Sequence, residues 1–180
     1  PYGLEAITVL RGPASAIYGA STSAGIVDLI SKRPTQTPFR EIEIQGGSFG
    51  RKQFNFDISG PANPEGTLLY RLTGLVRDAK TDISAMKDDR VFIAPALTWK
   101  PNEATKLTVL GEYMDSTTGG TAAYLNQYGP YIDRQGNVLF KTLGATKVYA
   151  GNKRYNDFRQ QQARIGYEFE HKFDEVFTLR

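Results

Sequence analysis

From Phe39 to the end of the chain, apolar and polar residues alternate with a period of two, segment after segment. In 40–46, Ile42 and Ile44 oppose Glu41, Glu43 and Gln45. In 53–60, Phe54, Phe56 and Ile58 oppose Gln53, Asn55, Asp57 and Ser59. The pattern returns in 67–77 (Leu68, Tyr70, Leu72, Val76 against Thr67, Arg71, Thr73, Arg77) and in 90–99, with Val91, Ile93, Leu97 and Trp99 on the apolar side. It returns again in 105–114 (Leu107, Val109, Tyr113) and 160–173 (Ala163, Ile165, Tyr167, Phe169, Phe173), and a seventh strand begins near Val176. A period of two is the repeat of a strand whose two faces meet different environments. It excludes a helical fold for this part of the chain.

Two architectures satisfy that pattern. A soluble antiparallel sandwich buries one face of each strand against a second sheet. A membrane barrel turns that face to lipid, with strands of ~9–11 residues. The connections favour the barrel. Tight turns at Pro61-Ala62-Asn63-Pro64-Glu65-Gly66, Pro101-Asn102-Glu103 and Asp174-Glu175 alternate with longer loops at 78–89 and 115–159. Outer-membrane barrels place short turns on the periplasmic side and long loops outside. Trp99 and Phe173 also lie at the turn ends of their strands, where an aromatic girdle belongs.

Composition narrows the chemistry. The absence of Cys excludes disulfides, thiolate zinc sites, iron–sulfur clusters and cysteine nucleophiles. A net charge of +3 with interspersed signs gives no reason to expect a nucleic-acid partner. Negative mean hydropathy and the lack of a long apolar run would by themselves suggest a soluble domain. A barrel strand, however, offers only half its residues to lipid, and mixed charge suits a water-filled lumen.

The first 38 residues read differently. Residues 5–10 form a strand, Gly12-Pro13 breaks it, and Pro13 opens a short helix to Tyr18 closed by Gly19. Residues 26–31 form a second strand ended by Lys32-Arg33-Pro34, and the polar stretch Thr35–Pro38 marks a domain boundary. The chain opens without Met or a signal peptide and stops inside a strand, so a piece of a longer protein is expected.

The blocks Val9-Leu10-Arg11-Gly12-Pro13-Ala14-Ser15-Ala16-Ile17-Tyr18-Gly19 and Gly25-Ile26-Val27-Asp28-Leu29-Ile30-Ser31-Lys32-Arg33-Pro34 resemble the end of the plug of TonB-dependent outer-membrane receptors. Tyr70-Arg71-Leu72-Thr73-Gly74, Asp89 to Pro101 and Gly166 to His171 resemble the first barrel strands of the siderophore branch, particularly ferric-hydroxamate (ferrichrome-type) receptors. One departure is Ala24-Gly25, where the family usually carries a Gly pair. The resemblance implies a mainly β protein, with 1–36 the C-terminal part of a plug domain. It makes 37–180 about seven antiparallel strands of a 22-stranded transmembrane β-barrel. It further implies a receptor and transporter for ferric siderophores in the outer membrane of a Gram-negative bacterium, driven by TonB through plug rearrangement. Its partners would be a ferric siderophore of the hydroxamate type, TonB in the periplasm and outer-membrane lipid. The protein would not be an enzyme, and iron would arrive only as the ferric siderophore, with no resident cofactor.

Candidate site residues follow from the same resemblance. In the family, plug arginines pair with barrel glutamates, which singles out Arg11 and especially Arg33, with acidic partners expected beyond this chain. Ligand contact falls to Tyr18 and, in the long loop after Thr118-Gly119, to Tyr124 and Tyr128, since an amphipathic chelate wants aromatic walls with polar tips. Family aromatics in that loop are replaced by Thr121 or Ala122. Other motifs have plainer readings. Gly46-Gly47-Ser48-Phe49-Gly50 matches a nucleophile elbow in spelling, but a strand follows where a helix is needed. His171, the one histidine, has no second ligand for a metal. The carboxylate pairs Glu41/Glu43 and Glu168/Glu170 fit a wet lumen. The competing readings are a passive porin or adhesin barrel, which the plug-like segment opposes, and a soluble β-sandwich binding module.

Overall fold

The computed structural model describes residues 2–12, 25–82, 86–119, 131–140 and 157–180. Strands β1 (Leu4–Arg11) and β2 (Gly25–Ser31) form an antiparallel N-terminal hairpin. Then follow β3 (Phe39–Gly46), β4 (Lys52–Pro61), β5 (Leu68–Asp78), β6 (Asp88–Trp99) and β7 (Thr105–Gly119). The short pair β8 (Tyr131–Ile132) and β9 (Val138–Phe140) precedes the long β10 (Asp157–Lys172) and the short β11 (Thr178–Leu179). Seven strands make one antiparallel sheet in the order β11-β10-β7-β6-β5-β4-β3, so every strand lies beside its neighbour in that meander. The expected helix at 13–18 falls outside the described residues.

Alternation sets the two faces. Gln53, Asn55, Asp57 and Ser59 of β4 are buried, while Phe54 is exposed on the opposite side. Cross-strand register carries this sidedness along the sheet, pairing Asp57 with Thr73 and Thr98 with Thr108. The buried set is accordingly mostly polar: Asn55, Asp57, Ser59, Thr73, Thr98 and Thr108 are each at most 3% exposed. The outer face is apolar and uncovered, with Ile44 at 81% and Ile165 at 85% exposure. Gly74 sits on it beneath the Phe56 ring of the neighbouring strand, where any Cβ would collide with the ring. A sandwich would cover this face with a second sheet. Among the described residues none does, and the sandwich reading falls.

The ends of the sheet differ as the sequence suggests. The three turns at one end are each closed by an Asn or Asp side chain that accepts backbone N–H groups. Asn63 Oδ1 accepts from Leu68 N (2.9 Å), and Asn102 Oδ1 from Ala104 N (3.0 Å) and Thr105 N (2.8 Å). Asp174 Oδ1 accepts from Val176 N (2.8 Å) and Phe177 N (2.6 Å). The other end carries the longer connections. There β7 and β10 run past the expected limits, because their ladder continues to Asp157↔Gly119. On the outer face at that end, Asp115 accepts from Arg159 Nε (3.0 Å) and Gln161 Nε2 (3.0 Å), so the apolar band has ended while the strands have not.

Two outcomes test this arrangement. Ile165→Arg places a charge in the outward band and should lower the stability of the lipid-inserted barrel by about 2–4 kcal/mol, whereas Gln162→Arg on the inner face should change it little. Urea unfolding in vesicles measures both. The Phe177 and Val176 amides hold the Asp174 carboxyl below its ordinary pKa. A depressed folded pKa stabilises above the unfolded value and loses that contribution as pH falls. The protection factor of the Phe177 amide should therefore fall below about pH 4, and Asp174→Asn should abolish that dependence.

Candidate functional site

The N-terminal hairpin lies against the inner face of the main sheet, and Asp57 is the centre of the contact. Its side chain has no solvent exposure. Arg71 grips it with two donors, Nε to Oδ1 (2.9 Å) and Nη2 to Oδ2 (2.8 Å), and Thr73 Oγ1 adds a third bond at 3.2 Å. Lys32 Nζ, arriving from the end of the hairpin, donates to Oδ2 at 2.7 Å. A carboxylate taken out of water demands such saturation. Arg71 then spends Nη1 on the hairpin side, reaching Glu5 Oε2 (3.2 Å) and the backbone carbonyl of Arg33 (2.9 Å). Four charges thus alternate in sign: Glu5, Arg71, Asp57, Lys32.

Further contacts extend the attachment. Arg33 meets Glu168 on β10 through Nε (Oε2, 3.1 Å) and Nη2, while its Nη1 bonds the Ser31 carbonyl (2.9 Å). This raises the guanidinium pKa, chiefly through the Glu168 hydrogen bonds and against the opposing effect of burial. The neighbours Lys32 and Arg33 therefore reach β4 and β10, four places apart in the sheet. Thr35 N and Oγ1 both lie 2.9 Å from Ser59 Oγ. Tyr2 donates to Glu41 Oε1 (2.9 Å), and burial followed by the Glu41 contact pushes the phenol pKa well up. Gly3 lets the backbone approach the Phe92 ring so closely that any side chain there would collide. Above this contact, a cavity of about 590 Å³ lies between Tyr2–Leu4 and inner-face residues such as Asn55, Arg77 and Phe92.

The sequence candidates fare unequally. Arg33 meets an acidic partner within the chain, Glu168, and not beyond it as expected. Arg11 ends β1 opposite Gly25, exposed, and makes no ion pair among the described residues. Tyr18, Tyr124 and Tyr128 lie outside the described residues. Sequence reasoning missed Glu5, Lys32, Asp57 and Arg71. A signal existed for one half: the β4–β5 register sets Ser59 opposite Arg71 and Asp57 opposite Thr73, which makes Asp57 and Arg71 diagonal neighbours on one face.

The two ion pairs should differ in worth. Asp57→Ala leaves Arg71 and Lys32 without their shared carboxylate and should cost about 3–5 kcal/mol. Arg33→Ala removes a pair whose Glu168 is half exposed and should cost less than about 1 kcal/mol. Denaturant titration of the assembled protein separates them.

No family model matches the chain. Curated relatives do match, along its whole length. The ferrichrome outer membrane transporter/phage receptor of Escherichia coli K12 is 33% identical over 183 residues, covering 100% of this chain and 23% of the relative. The ferrioxamine B receptor of Salmonella typhimurium SL1344 is 29% identical over 180 residues, covering 100% of this chain and 25% of the relative. Among solved structures, the pyoverdine outer membrane receptor FpvA of Pseudomonas aeruginosa PAO1 bound to pyoverdine superposes with a TM-score of 0.80 at 22% identity. That match covers 98% of this chain and 25% of FpvA. The siderophore receptor PiuA of Acinetobacter baumannii gives 0.76 at 22% identity, covering 97% and 24%. The chain thus spans about a quarter of the length of the relatives it matches. With a polar-faced antiparallel sheet, an apolar outer belt and a hairpin pinned against the polar face, the chain is similar to about a quarter of the length of these outer-membrane siderophore receptors.

Proposed function

We propose that the protein is an outer-membrane receptor that binds a ferric siderophore outside the cell and admits it when TonB displaces the plug. In this reading residues 1–36 belong to the plug and 37–180 to the barrel wall. The observation that carries it is the hairpin β1–β2 held by ion pairs on the polar face of a sheet whose other face is apolar. A segment so placed closes the lumen and must be moved before a solute passes. A passive porin has no use for it.

The ligand proposed is a ferric hydroxamate. Ferrichrome and ferrioxamine appear in the names of relatives that match the whole chain. No covalent chemistry is required of the protein, because iron arrives chelated. Tyr18, Tyr124 and Tyr128 are the proposed contacts, each with a flat apolar ring and a hydroxyl for the chelate's polar rim. TonB would act on plug residues other than those seen here, and the apolar outer belt would meet outer-membrane lipid.

The test uses the full-length receptor in iron-starved cells lacking other siderophore receptors. Cells should bind and import radioiron-loaded ferric trihydroxamate, and deleting TonB should abolish import while sparing surface binding. Failure to bind any ferric siderophore would falsify this function.

A further inference from the structure

We propose that the cavity between hairpin and wall is a bipolar pocket for a ferric hydroxamate with a cationic tail, Glu43 taking the cation and Arg90 the hydroxamate oxygens. This narrows the ligand class of the transport reading above, on which it rests. One row of the inner face carries the assignment. Glu43, Asn55, Leu75, Phe92, Met114 and Gln162 are successive cross-strand partners, from β3 through β4, β5, β6 and β7 to β10. All of them line the cavity. The row is polar at both ends and apolar across its three middle strands. The next row toward the longer connections holds Gln53, Arg77, Arg90 and Ser116 on β4 to β7. The apolar stripe does more than buttress the hairpin. Leu75 is 5% exposed and the Phe92 ring meets the Gly3 backbone, yet a gap of about 590 Å³ remains beside them. Packed interiors leave no such void. A mostly apolar surface of that size with a few placed polar groups is the makeup of a small-molecule site.

Charge decides which molecule fits. Arg77 and Arg90 stand directly opposite each other in the ladder, a like-charge pairing that costs stability. Arg77 is neutralised by Asp88 at 2.8 Å, and Arg164 by Glu112. Arg90 has a single contact among the described residues, 3.4 Å to Ser116 Oγ, and no carboxylate partner there. Its guanidinium is therefore spare positive charge on the cavity wall. At the other end of the row, Glu43 accepts amide hydrogens from Gln45 and Asn55, both at 2.6 Å, and meets no cation among the described residues. The amides hold the carboxylate in place without cancelling its charge. Glu43 and Arg90 lie on strands three places apart, about 14 Å at the usual strand spacing, with the apolar floor between them. A ferric trihydroxamate matches this order of groups. Its hydroxamates cancel the ferric charge, and their oxygens accept from a guanidinium. The methylene chains between them suit the apolar floor. A chelate that also bears a protonated amine supplies the cation that Glu43 lacks.

The test compares two forms of one chelate in cells carrying the full-length receptor. Ferrioxamine B has a protonated amine, and its N-acetylated form is neutral and otherwise the same. Below saturation, the initial rate of uptake of the amine form should exceed that of the acetylated form about tenfold. Glu43→Gln should remove that preference, slowing the amine form far more than the acetylated one. Arg90→Gln should slow both forms in step. Heat-modifiable mobility in gels reports whether each variant barrel is folded. A merely structural role for Glu43 would slow both forms equally. The wild-type comparison needs no variant, so it decides even where Glu43→Gln fails to assemble. Equal uptake of the two forms by wild type, or import of neutral chelates alone, would overturn the proposal. So would a Glu43→Gln receptor that keeps the preference, or Arg90→Gln with wild-type uptake. A wild-type receptor that binds no ferric siderophore would instead overturn the transport reading.

Discussion

A carboxylate without solvent contact, Asp57, is the interaction on which the arrangement of this chain depends. Burying a charge is tolerable only where donors saturate it, and here they come from two bodies: Arg71 and Thr73 from the sheet, Lys32 from the hairpin. The hairpin brings little apolar area that could substitute, since Ile7, Val9, Val27 and Leu29 are all more than half exposed. Polar geometry therefore positions the hairpin on the sheet. Such contacts are directional, and they fix the hairpin's register on the sheet.

The sheet inverts the usual distribution of residues. In a water-soluble domain the apolar faces meet and the polar faces are wetted. Here hydroxyls, amides and the Asp57–Arg71 pair are buried, and Ile44, Ile165 and Tyr167 stand in the open. That inversion explains why composition alone points the wrong way. Negative mean hydropathy is what a sheet with one apolar face and one polar face produces. His171 fits the same scheme: its ring lies edge-on to Phe173 at 4.6 Å and its Nδ1 lies 2.9 Å from Thr105 Oγ1, at the turn end of the aromatic belt.

Strands were legible because alternation is a local signal. The stretch 53–60 became Lys52–Pro61, and 67–77 became Leu68–Asp78. The signal failed where both faces turn polar: 105–114 lengthened to Thr105–Gly119, since Asp115 and Thr117 break the alternation while the ladder to β10 persists. The β8–β9 hairpin was missed although its turn is spelled out. Asp133 accepts from the Asn137 side-chain amide (2.8 Å) and from the backbone N–H groups of Asn137 (2.7 Å) and Gln135 (2.9 Å), which lowers its pKa, and Gly136 adopts φ 88°. At the contact site, the resemblance pointed to Arg33 but alternation could not find Lys32 with Asp57. Periodicity reports which face a residue occupies, not which residue of another element will meet it.

The central claim is that the hairpin is held to the wall through the shared carboxylate. A double-mutant cycle between Lys32→Met and Asp57→Asn, read from the unfolding free energy of the assembled receptor, tests this most directly. The account predicts a coupling energy of about 1–3 kcal/mol between the two positions. Additive effects, with no coupling beyond experimental error, would contradict it.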